Sequence, residues 1–144
     1  MGEPLLTRID HVGIAVRDLD RAIEFYTATF GLTVAGREVN EPQGVKEAML
    51  HVADAPGGGS YLQLLEPLSI ETPVGRFIEQ RGEGVHHIGY GVVDVSAALE
   101  DLAGQGIRLI DSAPRHGSLG ASIAFLHPKS VGGVLTELVQ AATP

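Results

Sequence analysis

The sequence predicts an α+β fold made of two tandem βαβββ modules. Three observations carry that prediction. One histidine-headed pattern occurs twice: residues 9–18 read IDHVGIAVRD and residues 85–94 read VHHIGYGVVD. At a shift of 76, His11 falls on His87, Gly13 on Gly89, Val16 on Val92, Asp18 on Asp94, Ala22 on Ala98 and Glu24 on Glu100. Each copy opens on period-two alternation, the mark of a strand, and passes into a helical stripe. The match resumes downstream, where residues 48–51 (AMLH) lie on residues 124–127 (AFLH) at the same shift. Leu62-Gln63-Leu64 then lies on Thr136-Glu137-Leu138 at a shift of 74.

The elements follow in order. In residues 10–16, Val12, Ile14 and Val16 share one strand face, and His11, Gly13 and Ala15 share the other. Asp18 or Asp20 is placed to cap a helix whose stripe is Ala22, Ile23, Tyr26 and Phe30. Strands are expected at residues 33–39, 46–52 and 60–65, with a hairpin turn at Gly57-Gly58-Gly59. Residues 67–84 form a linker with a short helix near 74–80, after Pro73. The second copy repeats the plan. Ile88, Tyr90 and Val92 oppose His87, Gly89 and Gly91; Asp94 caps a helix striped by Ala98, Leu99 and Leu102; Gly104 to Gly106 ends it. Its strands are expected at residues 107–111, 122–126 and 134–139. The modules thus span residues 7–66 and 85–140. At 144 residues they are expected to share one core within a single domain covering residues 1–144.

Composition bounds the partners. A net charge of −8, without a basic cluster, argues against nucleic acid. No apolar run reaches the roughly 18 residues of a membrane span, so no membrane association is expected. The start, MGEPLLTRID, lacks the apolar stretch of an export signal. Cysteine is absent, which removes disulfides and thiol chemistry and fits a cytoplasmic location.

The repeat singles out four side chains: His11 and Gln63 in copy one, His87 and Glu137 in copy two. Gln63 and Glu137 interrupt apolar strands, and a buried carboxylate is costly unless a cation or hydrogen bonds compensate it. A lone strand histidine is ordinarily packed or surface-exposed, and a lone strand glutamine or glutamate faces solvent. Four such residues at paired positions instead compose a nitrogen and oxygen shell for a divalent metal. With one carboxylate, the shell keeps a formal charge of +1 and attracts an anionic substrate or a developing enolate. Glu47 is a fifth candidate. It shares strand parity with Met49 and His51, but it falls on Ile123 and has no twin. Taken alone it reads as a solvated edge-strand residue beside Lys46. His86 falls on Asp10 and points away from the others. His51 and His127 form another pair at strand ends and read as structural. His116 lies in a loop, residues 114–120, that could border a ligand. Arg115, His116 and Lys129 read as surface charge, with a secondary possibility of meeting phosphate or carboxylate.

Residues 9–16 (IDHVGIAV), 43–50 (QGVKEAML), 61–67 (YLQLLEP), 84–89 (GVHHIG), 125–129 (FLHPK) and 133–137 (GVLTE) cover nearly the whole chain in order. Together they resemble the vicinal oxygen chelate superfamily and, within it, the methylmalonyl-CoA epimerase family. The resemblance implies paired βαβββ modules whose curved sheets enclose a metal. It implies His11, Gln63, His87 and Glu137 as metal ligands, and cobalt as the ion, with manganese or another divalent ion also used. It implies an acyl-CoA substrate epimerised at C2, with Glu47 and Glu137 as the two acid/bases, and a homodimer. The same superfamily offers alternatives. A glyoxalase I reading leaves Gln63 and the Glu47 strand unexplained and lacks a glutathione site. An extradiol dioxygenase would leave Gln63 unemployed. A non-enzymatic drug-binding protein of the bleomycin-resistance type would not need the ligand shell.

Overall fold

The computed structural model describes residues 4–52 and 60–143; the turn expected at residues 57–59 lies outside them. The chain packs as two compact units. One is His11–His86; the other joins the residues up to Asp10 to those from His87 onward.

In the first unit, strand β1 (Arg8–Ala15) leads to helix α1 (Leu19–Phe30), then β2 (Thr33–Asn40), β3 (Val45–His51), β4 (Tyr61–Pro67) and α2 (Pro73–Arg81). The strand order is β2-β3-β4-β1. β2, β3 and β4 are antiparallel, and β4 runs parallel to β1. Asp18 caps α1 by accepting the Arg21 N–H at 3.1 Å, and Gly31 closes it in the left-handed region at φ 73°. Leu19 is buried in α1; with Ala22, Ile23 and Tyr26 it packs on Ala48, Leu50 and Leu64. Phe30 departs from its expected place. It is 62% exposed and lies against Phe25 and Tyr26, with centroids 5.8 and 5.9 Å away, because the stripe ends in an aromatic cluster on the helix rather than on a strand. α2 starts where Pro73 predicts, at the first helical position, with Thr72 Oγ1 accepting the Gly75 N–H at 3.1 Å.

In the second unit, β5 (Gly84–Gly91) leads to α3 (Val95–Gly104), β6 (Arg115–His116), β7 (Ser122–Leu126) and β8 (Thr136–Gln140). The order is β5-β8-β7-β6, with β8 parallel to β5 and antiparallel to β7. Asp94 caps α3 as expected. Residues 107–111 do not form the expected strand. Leu109 makes one bridge to Leu126, then Ile110 and Asp111 both donate their N–H to the Phe125 carbonyl, at 2.9 and 3.2 Å. Two residues set against one is bulge geometry, and the Asp111 carboxylate takes the Phe125 N–H that a partner carbonyl would otherwise accept. The edge strand is therefore the two-residue β6, farther on. β8 starts two residues later than expected because Gly132 and Gly133 turn the chain at φ 81° and 92°.

The N-terminal residues belong with the second unit. The Thr7 N–H donates to the Gly91 carbonyl at 2.8 Å, and Leu5 packs on the cluster of Val92, Val95, Leu99, Leu126 and Leu138. The apolar clusters of buried residues each lie within one unit. Leu64 and Leu138 are repeat equivalents, and each is 0% exposed at the centre of its cluster. Leu138→Ala is expected to cost about 2–5 kcal/mol and to lower Tm by roughly 10 °C in a calorimetric melt. Among the described residues no helix is long and apolar enough to cross a membrane.

Candidate metal centre and active site

Strand register explains why the repeat singled out these residues. In the first unit, Gly13 on β1 and Met49 on β3 both stand opposite Gln63 on β4. Neighbouring strands keep side-chain parity, so His11, Gly13, Gln63, Met49 and Glu47 share one face of this sheet. The face is closed to solvent: His11 is 3% exposed, Glu47 2% and Gln63 4%. Glu47 is thus not the solvated edge residue that its sequence context suggests. The edge strand is β2, and Lys46, on the opposite face, pairs with Glu66 at 3.1 Å. Gln63 Nε2 donates to Glu47 Oε2 at 2.9 Å. A carboxylate oxygen accepts, so the Gln63 amide nitrogen faces Glu47. The amide oxygen is then the atom of Gln63 that suits a cation.

The second unit repeats this register. Gly89 on β5 and Phe125 on β7 stand opposite Glu137 on β8. His87 lies two residues before Gly89 and shares its face. His87 and Glu137 are both buried, with His87 Nε2 3.1 Å from Glu137 Oε1. Where Glu47 opposes Leu65 in the first unit, Ile123 opposes Val139 in the second. The missing twin of Glu47 is therefore a fact of the ladder as well as of the sequence.

The donor chemistry fits a divalent cation. Two ligand atoms, each roughly 2.1 Å from one ion and at right angles, are separated by about 3.0 Å. The His87–Glu137 contact has that separation. Imidazole nitrogen with carboxylate and amide oxygen suits ions of the cobalt, manganese or zinc kind.

The remaining histidines have neighbours of their own. His86 packs edge-on against Phe77 at 5.1 Å between centroids. His51 lies 4.7 Å from the Tyr61 ring. His127 Nδ1 accepts the Lys129 N–H at 3.2 Å, capping a short 3-10 turn. His116 is exposed on β6. Arg115 is more than the surface charge it resembles in sequence. It pairs with Asp111 at 3.3 Å and lies over the Phe125 ring. Nothing in local sequence marks Phe125, whose significance comes from facing Glu137 across the ladder.

The chain is similar to several known proteins. The family model described as the glyoxalase/bleomycin resistance protein/dioxygenase superfamily matches residues 10–125. The human mitochondrial methylmalonyl-CoA epimerase is 36% identical, over 94% of this chain and 75% of the human one. The ethylmalonyl-CoA/methylmalonyl-CoA epimerase of Cereibacter sphaeroides is 35% identical over 94% of this chain and 99% of its own. Among solved structures, a methylmalonyl-CoA epimerase in complex with methylmalonyl-CoA and NH4+ superposes at a TM-score of 0.92, with 55% identity and 96% of each chain covered. That of Mycobacterium tuberculosis superposes at 0.91, with 40% identity, covering 99% of this chain and 93% of the other. The chain belongs to the glyoxalase/bleomycin resistance protein/dioxygenase superfamily and, within it, to the methylmalonyl-CoA epimerases, which are enzymes.

Proposed function

We propose that the enzyme interconverts the two C2 epimers of methylmalonyl-CoA by proton transfer through an enolate, with Glu47 and Glu137 as the acid/base pair. The observation that carries this reading is Glu47 itself. It is a buried carboxylate without a repeat twin, held by the Gln63 amide at 2.9 Å. A scaffold does not need such a residue, whereas proton abstraction does.

His11 and Gln63 from one module, with His87 and Glu137 from the other, would hold a divalent cation, cobalt first and manganese or another ion after it. Bound there, the ion supplies positive charge for the oxygen of the substrate thioester as C2 loses its proton. The other steps belong to the chain. The C2 proton is acidified by the flanking thioester and carboxylate. One glutamate removes it, becoming a carboxylic acid, while the other, protonated beforehand, delivers a proton to the opposite face of C2. The C–H electron pair passes to the enolate and returns to the new C–H bond. The reverse reaction exchanges the two roles. Glu137 has two carboxylate oxygens, so it can act in both capacities. Gln63 keeps Glu47 pointed along the shared face.

A single stereoisomer of methylmalonyl-CoA incubated with the enzyme in deuterated water should acquire deuterium at C2 and lose its optical purity. No exchange on this substrate, with turnover of the methylglyoxal–glutathione hemithioacetal instead, would establish the glyoxalase reading. We further propose a homodimer in solution, a cytoplasmic location consistent with the absence of cysteine, and action of both modules as one domain. Light scattering of the purified protein measures the first.

A further inference from the structure

This inference rests on the reading of His87 and Glu137 as cation ligands. Phe125, directly opposite Glu137, meets the His87 imidazole edge-to-face, with centroids 5.5 Å apart and planes at 81°. Phe125 is itself held twice. Its N–H donates to Asp111 Oδ2 at 2.9 Å, and the Arg115 guanidinium lies over its ring, 5.4 Å from the centroid. Arg115 and Asp111 close the circuit as an ion pair, Nε to Oδ2 at 3.3 Å. The Arg115 side chain is 38% exposed, so the pair contributes little stability by itself. Its geometry does more than its charge, because a guanidinium lies flat on an aromatic face in a way that an ammonium cannot.

The duplication shows that the scaffold does not require this circuit. On the ladders, Met49 stands for Phe125, and Glu38, opposite Glu47, stands for Arg115, opposite Ile123; neither Ala35 nor Gly36, set against Met49, carries a carboxylate as Asp111 does. The first module therefore offers a flexible thioether where the second has a clamped ring. The bulge at Ile110 and Asp111, which ends the expected strand, is what brings the Asp111 carboxylate to the Phe125 N–H. Bulges recur beside functional sites because they re-aim a side chain in this way.

We propose that Asp111, Arg115 and Phe125 are positioning residues that hold the His87 imidazole ready for a divalent cation and so set the affinity of the site. A ligand ordered in advance loses less freedom on binding, and groups behind metal ligands commonly change affinity 10–100-fold.

The test uses full-length protein stripped with a chelator and titrated with Co²⁺ against a chromophoric competitor, with the visible Co²⁺ absorption bands recorded. Arg115→Met keeps an unbranched stem but removes the planar cation. It is expected to weaken Co²⁺ binding by about tenfold and shift the bands, with the Tm of cation-free protein near that of wild type. Arg115→Lys should fall between Arg115→Met and wild type, and Phe125→Leu should be at least as weak as Arg115→Met. If Phe125→Leu fails to fold, Arg115→Met decides. Unchanged Co²⁺ affinity and spectrum in Arg115→Met would overturn the proposal while leaving the cation site standing. So would a lowered Tm with unchanged affinity, which is the mark of a purely structural residue. A wild-type protein that binds no Co²⁺ would overturn the cation reading itself and this inference with it.

Discussion

Glu47→Gln is expected to slow methylmalonyl-CoA epimerisation by about 10²–10⁴-fold, the usual worth of a positioned acid/base, without unfolding the protein. The substitution is isosteric, and Gln63 Nε2, now 2.9 Å from Glu47 Oε2, can donate equally to an amide oxygen. What disappears is the ability to take a proton. Glu137→Gln should show a loss at least as large, since it removes a proposed ligand charge along with the second acid/base. Deuterium incorporation separates the two roles. With one stereoisomer as substrate, each variant should lose exchange from the epimer whose proton its missing glutamate removes, and retain slower exchange from the other. Rapid exchange from both epimers in both variants would sink the two-base assignment. Equal loss in both directions for Glu47→Gln alone would leave Glu137 as a ligand only.

Chelation of the purified enzyme is expected to lower the rate by roughly a thousandfold, the order lost when transition-state charge goes unmatched, with recovery on adding Co²⁺ or Mn²⁺. His87→Ala should reproduce the loss and resist that recovery. The substitution removes an imidazole nitrogen 3.1 Å from Glu137 Oε1 and leaves a buried carboxylate without that neighbour. A kinetic loss accompanied by an unchanged Co²⁺ affinity would show that His87 acts on the substrate rather than on the ion. A chelated protein that keeps full activity would exclude the cation from the reaction altogether.

Much of this site is legible in the sequence because duplication copies strand register along with residues. Strand side chains alternate with a period of two, so matching His11 to His87 and Gln63 to Glu137 assigns the members of each match to equivalent faces of their own modules. The ladders bear this out residue by residue: Gly13 opposes Gln63 as Gly89 opposes Glu137, and Met49 opposes Gln63 as Phe125 opposes Glu137. Helix starts were equally legible, since Asp18 and Asp94 cap through bonds three residues away.

Contacts between distant segments were not legible. A bulge at residues 110–111 depends on the carbonyl of Phe125, and a strand pattern cannot register that the chain will set two residues against one. The N-terminal segment pairs with Gly91, which nothing in its composition suggests. The burial of Glu47 depended on which strand took the edge, a matter of sheet order rather than of local alternation. By itself the sequence determined the repeat, most strand faces and the pairing of four polar side chains, because these follow from short-range periodicity repeated twice. Only the tertiary structure decided that Glu47 is shielded and bonded to Gln63, and that Asp111, Arg115 and Phe125 stand behind His87. Those facts arise from pairings across sequence gaps of 14 and 16 residues or more, where hydrogen bonds and ring contacts choose among strand orders that the alternation leaves equivalent.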